Sequence, residues 1–228
     1  MRTKVEGVTR KRSVNIELDD VSLRGDLVVP GDALGTVAFA HGSGSGRLSP
    51  RNRYVAEVLQ AGGLATLLFD LLTPEEEEID LRTRHLRFDI PLLAHRLVGA
   101  TDWLRGEEVG ELSIGYFGAS TGAAAALIAA AERPERVGAV VSRGGRPDLA
   151  IPVLPAVRAP TLLIVGSLDY AVIRMNEEAL THLGGCKKLE IVEGATHLFE
   201  GSGTLERVAV LARNWFVRHL ATEPGSAF

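Results

Sequence analysis

The sequence predicts an α/β fold with a mostly parallel β-sheet and helices on both of its faces. Short apolar runs alternate with longer segments whose apolar residues recur at helical spacing, which is typical of βαβ units. Two stretches of alternating apolar and polar residues near the start of the chain add an antiparallel hairpin. The third observation is Gly118-Ala119-Ser120-Thr121-Gly122, which joins a predicted strand to a predicted helix and places a serine at the turn.

Length and composition limit the class of protein. The 228 residues fit one domain with a single core, which we expect over residues 13–220, between a flexible basic tail at 1–12 and a frayed C-terminus at 221–228. A formal net charge of −4 gives no general attraction for nucleic acid or an anionic membrane. No signal-peptide or membrane-spanning run is present, and the single cysteine, Cys186, cannot form an intrachain disulfide. We therefore expect a cytoplasmic protein, with no cofactor or metal indicated.

The first half of the chain carries the hairpin and two parallel strands. The helix between the parallel strands is predicted to begin at Pro50 and to end at Gly62-Gly63. The strand after that helix ends at Asp70. The predicted strands of this half are residues 14–18, 21–29, 36–40 and 64–69.

A long connection, residues 71–87, separates this half from the next helix. It combines the acidic run Glu75 to Glu78, which we interpret as a solvated face, with three arginines. A connection of this length is more typical of an excursion over a functional site than of a simple turn. Asp89 and Pro91 fit the first turn of the helix that follows, which is predicted to end at Gly106.

The second half repeats the order of strand, polar loop and helix. Three prolines make residues 147–159 irregular or limit them to a short helix. The predicted helices cover about 123–131, 172–183 and the segment from about 204 onward. The predicted strands are 112–117, 137–141, 161–165 and 188–192.

Residues capable of chemistry follow the predicted strands at their carboxyl ends. In a parallel sheet these ends meet at one edge, where ligands bind. We therefore expect one functional site at that edge. The residues concerned are His41 to Arg47, Asp70, Ser120, Arg143, Asp169 and His197.

The turn at Ser120 is the strongest single indication of function. A turn sharp enough to expose the Ser120 hydroxyl strains the serine backbone and brings strand and helix close together, which Gly118 and Gly122 permit. The alternative interpretation is a tight turn whose serine only caps the helix. A catalytic serine needs a base for its proton, and that base needs an acceptor. Asp169 and His197 follow Ser120 in the chain order expected for such a turn.

The sequence resembles the α/β-hydrolase superfamily and, within it, the dienelactone-hydrolase-like branch of small hydrolases with little or no cap. The resemblance covers about residues 13–220. Dienelactone hydrolase proper uses a cysteine nucleophile, whereas this chain has Ser120, so the resemblance does not carry over the dienelactone substrate. The matching motifs are at 41–44, 118–122, 166–169 and 194–199.

The resemblance implies that Ser120 is the nucleophile, Asp169 the acid and His197 the base. It also implies an oxyanion hole formed by the backbone N–H groups of Thr121 and of Ser43, or of Gly44 in place of Ser43. No cofactor is needed for this chemistry.

Two assignments stay open at this point. Asp148 follows the preceding strand and competes with Asp169 for the acid role, while His41 is expected to shape the oxyanion loop rather than to act as a base. Candidate substrate-binding residues are Arg47, Asp70 and Arg143. The guanidinium groups of Arg47, Arg143 and Arg146 either bind an anionic substrate group or pair with nearby carboxylates.

The sequence thus predicts a serine hydrolase that cleaves an ester-like bond of a small molecule through an acyl-enzyme. A thioesterase, an acyltransferase or a peptidase would share that step. A non-catalytic ligand sensor of the same fold is less consistent with three catalytic groups. A dinucleotide-binding loop is disfavoured, because Arg47 stands where G-x-G-x-x-G requires glycine. The oligomeric state is not indicated.

Overall fold

A computed structural model of the chain describes residues 8–18 and 20–221. Eight strands form one sheet, and they are β1 (Arg10–Glu17), β2 (Ser22–Val29), β3 (Thr36–Ala40), β4 (Ala65–Phe69), β5 (Ile114–Ala119), β6 (Val137–Arg143), β7 (Thr161–Gly166) and β8 (Lys187–Val192). The strand order is β1-β2-β4-β3-β5-β6-β7-β8. β2 pairs antiparallel with β1 and β4, and the other pairs are parallel. The predicted fold class, a mostly parallel sheet with an N-terminal antiparallel hairpin, is therefore confirmed.

The first three α-helices begin where sequence signals place a cap and a proline. Ser49 caps the first helix through its side chain, and Asp89 caps the third by accepting the amide hydrogen of Leu92. Two 3₁₀ segments, Leu86–Phe88 and Pro147–Ala156, lie between the longer elements. The α-helices are α1 (Pro50–Ala61), α2 (Pro74–Thr83), α3 (Ile90–Leu104), α4 (Thr121–Glu132), α5 (Tyr170–His182) and α6 (Thr204–Leu220).

The sheet is buried on both faces, so that its central strands consist of small or apolar residues. Every residue of β3 and of β4 is buried. Alternate residues of a strand point to opposite faces. Accordingly Val140 packs in the cluster with α3 and α4, while Ala139 and Val141 pack in the cluster with α1 and α6. This arrangement directs the loops at the carboxyl ends of β3, β5, β6 and β7 to one edge.

The first strand begins earlier than the sequence suggests. Arg10, Arg12 and the residue between them, expected in the flexible tail, form the start of β1. Arg10 pairs with Glu108 and Arg12 with Glu107, contacts that a local sequence pattern does not reveal. Residues 1–7 of the expected tail and residues 222–228 of the expected frayed end lie outside the described residues.

The connection between β4 and α3 contains a helix that the sequence pattern does not predict. Helix α2 begins with a capping box in which the Thr73 side chain accepts the Glu76 amide and the Glu76 side chain accepts the Thr73 amide. The Glu76 carboxylate also binds Nη2 of Arg96 on α3, with an N–O distance of 2.9 Å. Within residues 8–18 and 20–221, no helix combines the length and the apolar character that a membrane span requires.

Candidate active site

The turn between β5 and α4 holds Ser120 in a backbone conformation that L-residues rarely adopt. Its φ is 51° and its ψ is −121°. A Cβ at Gly122 would lie 2.1 Å from the Ala40 carbonyl oxygen, and a Cβ at Gly118 would lie 2.5 Å from Cα of Ala123. Glycine is therefore required at both positions by the close approach of strand and helix, as the sequence predicts.

Ser120 precedes the first residue of α4 but its side chain does not cap the helix. Its backbone is fixed instead, because its amide donates to the Arg143 carbonyl oxygen at 3.2 Å and its carbonyl accepts from the Arg146 amide at 3.0 Å. The interpretation of Ser120 as a mere helix cap is thus wrong. The Ser120 hydroxyl makes no capping hydrogen bond, and the residue is half-buried at the end of β5.

His197 and Asp169 are paired at the same edge. Nδ1 of His197 lies 2.6 Å from Oδ2 of Asp169, and the Asp169 side chain does not cap the helix α5 that begins after it. Because Nδ1 faces a carboxylate acceptor, the imidazole is fixed with Nδ1 protonated and Nε2 is left for proton transfer. A Cβ at Gly144 would lie 3.5 Å from Nδ1 of His197, so the ring rests against the backbone that follows β6.

Asp148, the alternative acid, has a different partner. Its two carboxylate oxygens accept from Nε and Nη2 of Arg146 at 2.9 and 2.8 Å. Such a bidentate pair is a strong and specific contact. Between the two candidates, it is Asp169 that contacts the imidazole.

The loop after β3 approaches the serine turn closely. A Cβ at Gly42 would lie 3.1 Å from both Cβ of Ser120 and the Ala119 carbonyl oxygen. The Ser43 amide donates to the Thr121 hydroxyl oxygen at 3.1 Å. As the first residue of α4, Thr121 has a backbone N–H group without a partner inside the helix. The two sequence-predicted oxyanion donors therefore lie together beside Ser120.

His41 fixes the start of this loop. Its Nε2 accepts the Leu71 amide hydrogen at 3.0 Å, so its Nδ1 carries the proton and donates to the Gly42 carbonyl oxygen at 3.1 Å. Burial lowers the pKa of His41, and the Gly42 carbonyl and Asp70 oppose that shift only in part. A neutral, doubly engaged imidazole supports the loop and does not act as a base, in agreement with the sequence-based expectation.

Arg47 and Asp70 contact each other. The Asp70 carboxylate accepts the Arg47 amide at 2.8 Å and pairs with the Arg47 guanidinium. Nε of Arg47 also lies 3.6 Å from Oδ2 of Asp26 on β2. Two of the three arginines considered for anion recognition, Arg47 and Arg146, thus have carboxylate partners.

Arg143, the last residue of β6, differs from both. It is buried, and in the part of the chain that the structure describes neither Nε nor Nη1 has a hydrogen-bond partner. Burial, followed by the positive charge of Arg51, lowers its pKa to about 10. The side chain therefore remains charged at neutral pH.

A cavity of about 200 Å³ adjoins the loop after β3. Its walls include the loop residues 41–45, Asp70 and, from the connection after β4, Leu72, Leu81 and Arg87. Arg87 is held by Asp80, which is buried and accepts from the Arg87 amide at 3.1 Å and from its guanidinium. The sequence did not single out Asp80 or Arg87 as a pair, because the six intervening positions carry no motif.

A groove of about 380 Å³ between β2 and α1 is larger, but its lining residues do not include the loop after β3. Ser120, Asp169 and His197 line neither of the two cavities. The smaller cavity is the better candidate for substrate, since it touches the Ser43 loop. Among residues 8–18 and 20–221, no three His, Cys, Asp or Glu side chains converge as a metal site.

A solved structure of high sequence identity matches nearly the whole chain. The crystal structure of dienelactone hydrolase from Anabaena variabilis is 64% identical, with a TM-score of 0.92, and the match covers 93% of this chain and 99% of that one. Est1E from Butyrivibrio proteoclasticus is 16% identical with a TM-score of 0.77, covering 92% and 99% of the two chains, which demonstrates a shared fold. No family model matches the chain.

A curated protein of Mycobacterium tuberculosis, provisionally named a phosphoribosyl transferase, is 56% identical over 212 residues. The match covers 92% of this chain and 47% of that protein. The chain therefore spans about half the length of the curated relatives it matches.

Proposed function

The chain belongs to the dienelactone-hydrolase-like branch of the α/β-hydrolase superfamily, and from this premise we propose that it is a serine hydrolase cleaving an ester-like bond of a small molecule. The observation that carries the proposal is the constellation at the sheet edge. Ser120 has a strained backbone and a side chain that caps nothing, and a paired imidazole and carboxylate stand at the ends of β7 and β8.

In the proposed reaction, Nε2 of His197 accepts the Ser120 proton while Oγ attacks the ester carbonyl carbon. The carbonyl π electrons move to oxygen and give a tetrahedral oxyanion. Collapse of this intermediate breaks the bond to the alcohol, which takes the proton from His197 as it leaves. Water, deprotonated by the same imidazole, then releases the acid from Ser120. Asp169 holds the tautomer and stabilises the imidazolium that forms at each stage.

The oxyanion is proposed to bind the backbone N–H groups of Thr121 and Ser43. In the ligand-free geometry the Ser43 amide already has an acceptor, the Thr121 hydroxyl at 3.1 Å. An oxyanion carries more negative charge than a hydroxyl, so it is the stronger acceptor for that donor. The amide is thus held in place before the reaction, which is the condition for effective electrostatic stabilisation.

The substrate is proposed to occupy the 200 Å³ cavity. Leu72, Leu81 and Leu93 supply apolar walls, and Arg87 and Asp70 supply charge. In this assignment Asp70 forms part of the pocket wall, and its charge is balanced by Arg47 behind it. A thioester or an activated amide would fit the same chemistry, and a substrate screen separates these cases.

Phosphoribosyl transfer is not proposed for this chain. The M. tuberculosis relative has more than half of its length outside the match, and the matched segment is the part that folds as a hydrolase here. Its name therefore gives no reason to assign that activity to the residues described.

The test is labelling of the purified protein with a fluorophosphonate, followed by mass spectrometry of its peptides. Such a probe forms a stable adduct with an activated serine, so we expect modification at Ser120 and none in the Ser120→Ala variant. Ser142, which is buried and lies at the end of the adjacent strand, provides a control position on a neighbouring peptide. A folded protein that resists the probe would remove the hydrolase assignment and leave ligand binding without catalysis.

A further inference from the structure

Arg143 is a charged side chain buried without a counter-ion. Only 8% of its surface is exposed. No carboxylate in the described part of the chain contributes to its pKa, whose lowering comes from burial and from Arg51. A buried ion without an opposite charge beside it destabilises the folded state, because burial removes part of its hydration.

A second guanidinium lies close to it. Arg51 occupies the second position of α1, and its Nε is likewise shielded from solvent without a hydrogen-bond partner among the described residues. The pair therefore concentrates two positive charges in a region of low dielectric, where their repulsion is least screened.

The pair is adjacent to the serine turn. The Arg143 carbonyl accepts the Ser120 amide hydrogen at 3.2 Å, and Cα of Arg143 is in register with Ala119. By strand alternation the Arg143 side chain lies on the face of Ala139 and Val141, which pack with α1. The N-terminal end of α1 brings Arg51 to that face, and the helix dipole adds partial positive charge there.

We propose that Arg143 and Arg51 form a binding site for an oxyanion beside Ser120. Guanidinium groups bind carboxylate and phosphate oxygens through two parallel N–H donors, which would satisfy the atoms that now lack partners. Arg143 differs in this respect from Arg47 and Arg146, whose guanidinium groups pair with Asp70 and Asp148. Two sources of the anion are compatible with this site. One is an acid group on the substrate, and that case rests on the proposed hydrolase function. The other is free inorganic phosphate, and that case is independent of the hydrolase function.

The first measurement is the melting temperature of the wild-type protein in inorganic phosphate at constant ionic strength. At ten times the dissociation constant, bound phosphate raises it by about 3–6 °C. Arg143→Met keeps an apolar side chain of similar length and removes the charge. It should melt at or above the wild-type temperature without phosphate and show no phosphate-dependent rise.

Two variants on one helix supply the matched control. Arg51→Gln and Arg53→Gln each remove one positive charge from the first turn of α1, but Arg53 is exposed. We expect Arg51→Gln to weaken the phosphate effect and Arg53→Gln to preserve it. Equal weakening by both would mean that phosphate responds to overall charge, and the site would be rejected.

The second measurement locates the source of the anion. Mono-p-nitrophenyl glutarate and p-nitrophenyl 5-methylhexanoate are esters of similar shape that differ in a terminal carboxylate. If the anion belongs to the substrate, kcat/KM favours the acid ester, and Arg143→Met lowers that ratio by about 10- to 100-fold. Arg53→Gln should keep the wild-type ratio.

The outcomes are separable. A phosphate effect that Arg143→Met abolishes supports the site even if neither ester is hydrolysed, in which case only the hydrolase proposal fails. Ester turnover with an unchanged ratio, together with no phosphate effect, overturns the site and leaves the hydrolase proposal standing. In that event, buried water would be what hydrates Arg143.

Discussion

The backbone amide of Ser43 donates a hydrogen bond to the side-chain oxygen of Thr121 across 3.1 Å, although 78 positions separate the two residues. The bond ties the loop after β3 to the first turn of α4. It therefore fixes one proposed oxyanion donor relative to the helix that carries the other. The geometry of the proposed oxyanion hole therefore involves a side chain as well as two amides.

Replacing Thr121 by valine tests this dependence. Valine keeps the shape of the side chain but offers no acceptor, so the Ser43 loop loses its anchor. We expect kcat/KM to fall by about 10-fold, the effect of one neutral hydrogen bond. Thr121→Ser retains the hydroxyl and should stay close to wild type. A more active Thr121→Val would mean that the hydroxyl competes with the oxyanion and does not position the loop.

Ser120→Ala should lower ester turnover by about 10⁴-fold or more, because no other side chain replaces the nucleophile. The fold should persist, as judged by circular dichroism. Ser120→Gly should be equally inactive and more stable by about 1 kcal/mol, since glycine accepts a φ of 51° without strain. Urea unfolding of the two variants measures the difference. Ester turnover by Ser120→Ala would exclude Ser120 as the nucleophile.

Asp169→Asn tests the pair with His197. The amide can present its N–H₂ group to Nδ1, which favours the wrong imidazole tautomer, so kcat should fall by roughly 10³–10⁴-fold with KM little changed. Asp148→Asn is the matched control, because Asp148 pairs with Arg146 and not with the imidazole. A larger loss of kcat in Asp148→Asn than in Asp169→Asn would reverse the assignment of the acid.

His41 should make the stability of the protein depend on pH. Burial lowers the pKa of His41 from its model-compound value of 6.5, so below that pH the unfolded chain binds a proton that the folded protein does not. The stabilisation is complete above pH 6.5 and is lost as the pH falls toward the folded pKa. One such group changes the free energy of unfolding by up to about 1.4 kcal/mol per pH unit.

The comparison that isolates this effect is wild type against His41→Gln, which does not titrate. Urea unfolding at several pH values between 7.5 and 5, about the range where an ordinary histidine titrates, gives the two slopes. Between pH 6.5 and 5 the wild type should lose stability faster, since the other histidines are common to both proteins. Parallel slopes would mean that His41 binds its proton over the same pH range in the folded and the unfolded protein, so that burial does not lower its pKa.

Gly122→Ala should destabilise the protein by about 3 kcal/mol, because overpacking against backbone atoms cannot be relieved by a rotamer change. The added Cβ would lie 2.1 Å from the Ala40 carbonyl oxygen. At Gly106 the nearest atom to such a Cβ is 3.6 Å away, so Gly106→Ala should change stability by less than about 1 kcal/mol. Equal melting temperatures for the two variants would refute the steric argument.

The sequence predicted the buried strands well because burial on both faces leaves a continuous apolar signature. β3 and β7 are examples, since each consists of small or apolar residues followed by polar loop residues. Helix α2 was not predicted, because its ten residues include Glu75 to Glu78 and few apolar side chains, so no apolar periodicity arises. Its stability comes from the Thr73–Glu76 capping box and from Arg96, and the contact with Arg96 is tertiary.

The sequence predicted the residues of the proposed triad more readily than it predicted the ion pairs around them. Ser120, Asp169 and His197 could be named because they occupy fixed places relative to strands. Whether Arg47 faced a substrate or Asp70 could not be derived, since both choices are compatible with the same loop. Arg51 was not singled out, because it belongs to a helix start and becomes noticeable only when Arg143 is found nearby without a carboxylate.

Two residues of the proposed triad follow strands that differ in how easily they unfold locally. Ser120 follows β5, which is enclosed between β3 and β6, whereas His197 follows β8, an edge strand whose first residues are exposed. Edge strands open locally at a smaller free energy than central ones. Hydrolysis should therefore cease at denaturant concentrations that leave amide hydrogens of β5 protected from exchange. Loss of activity would then show that the edge of the sheet at β8 unfolds locally before the core does.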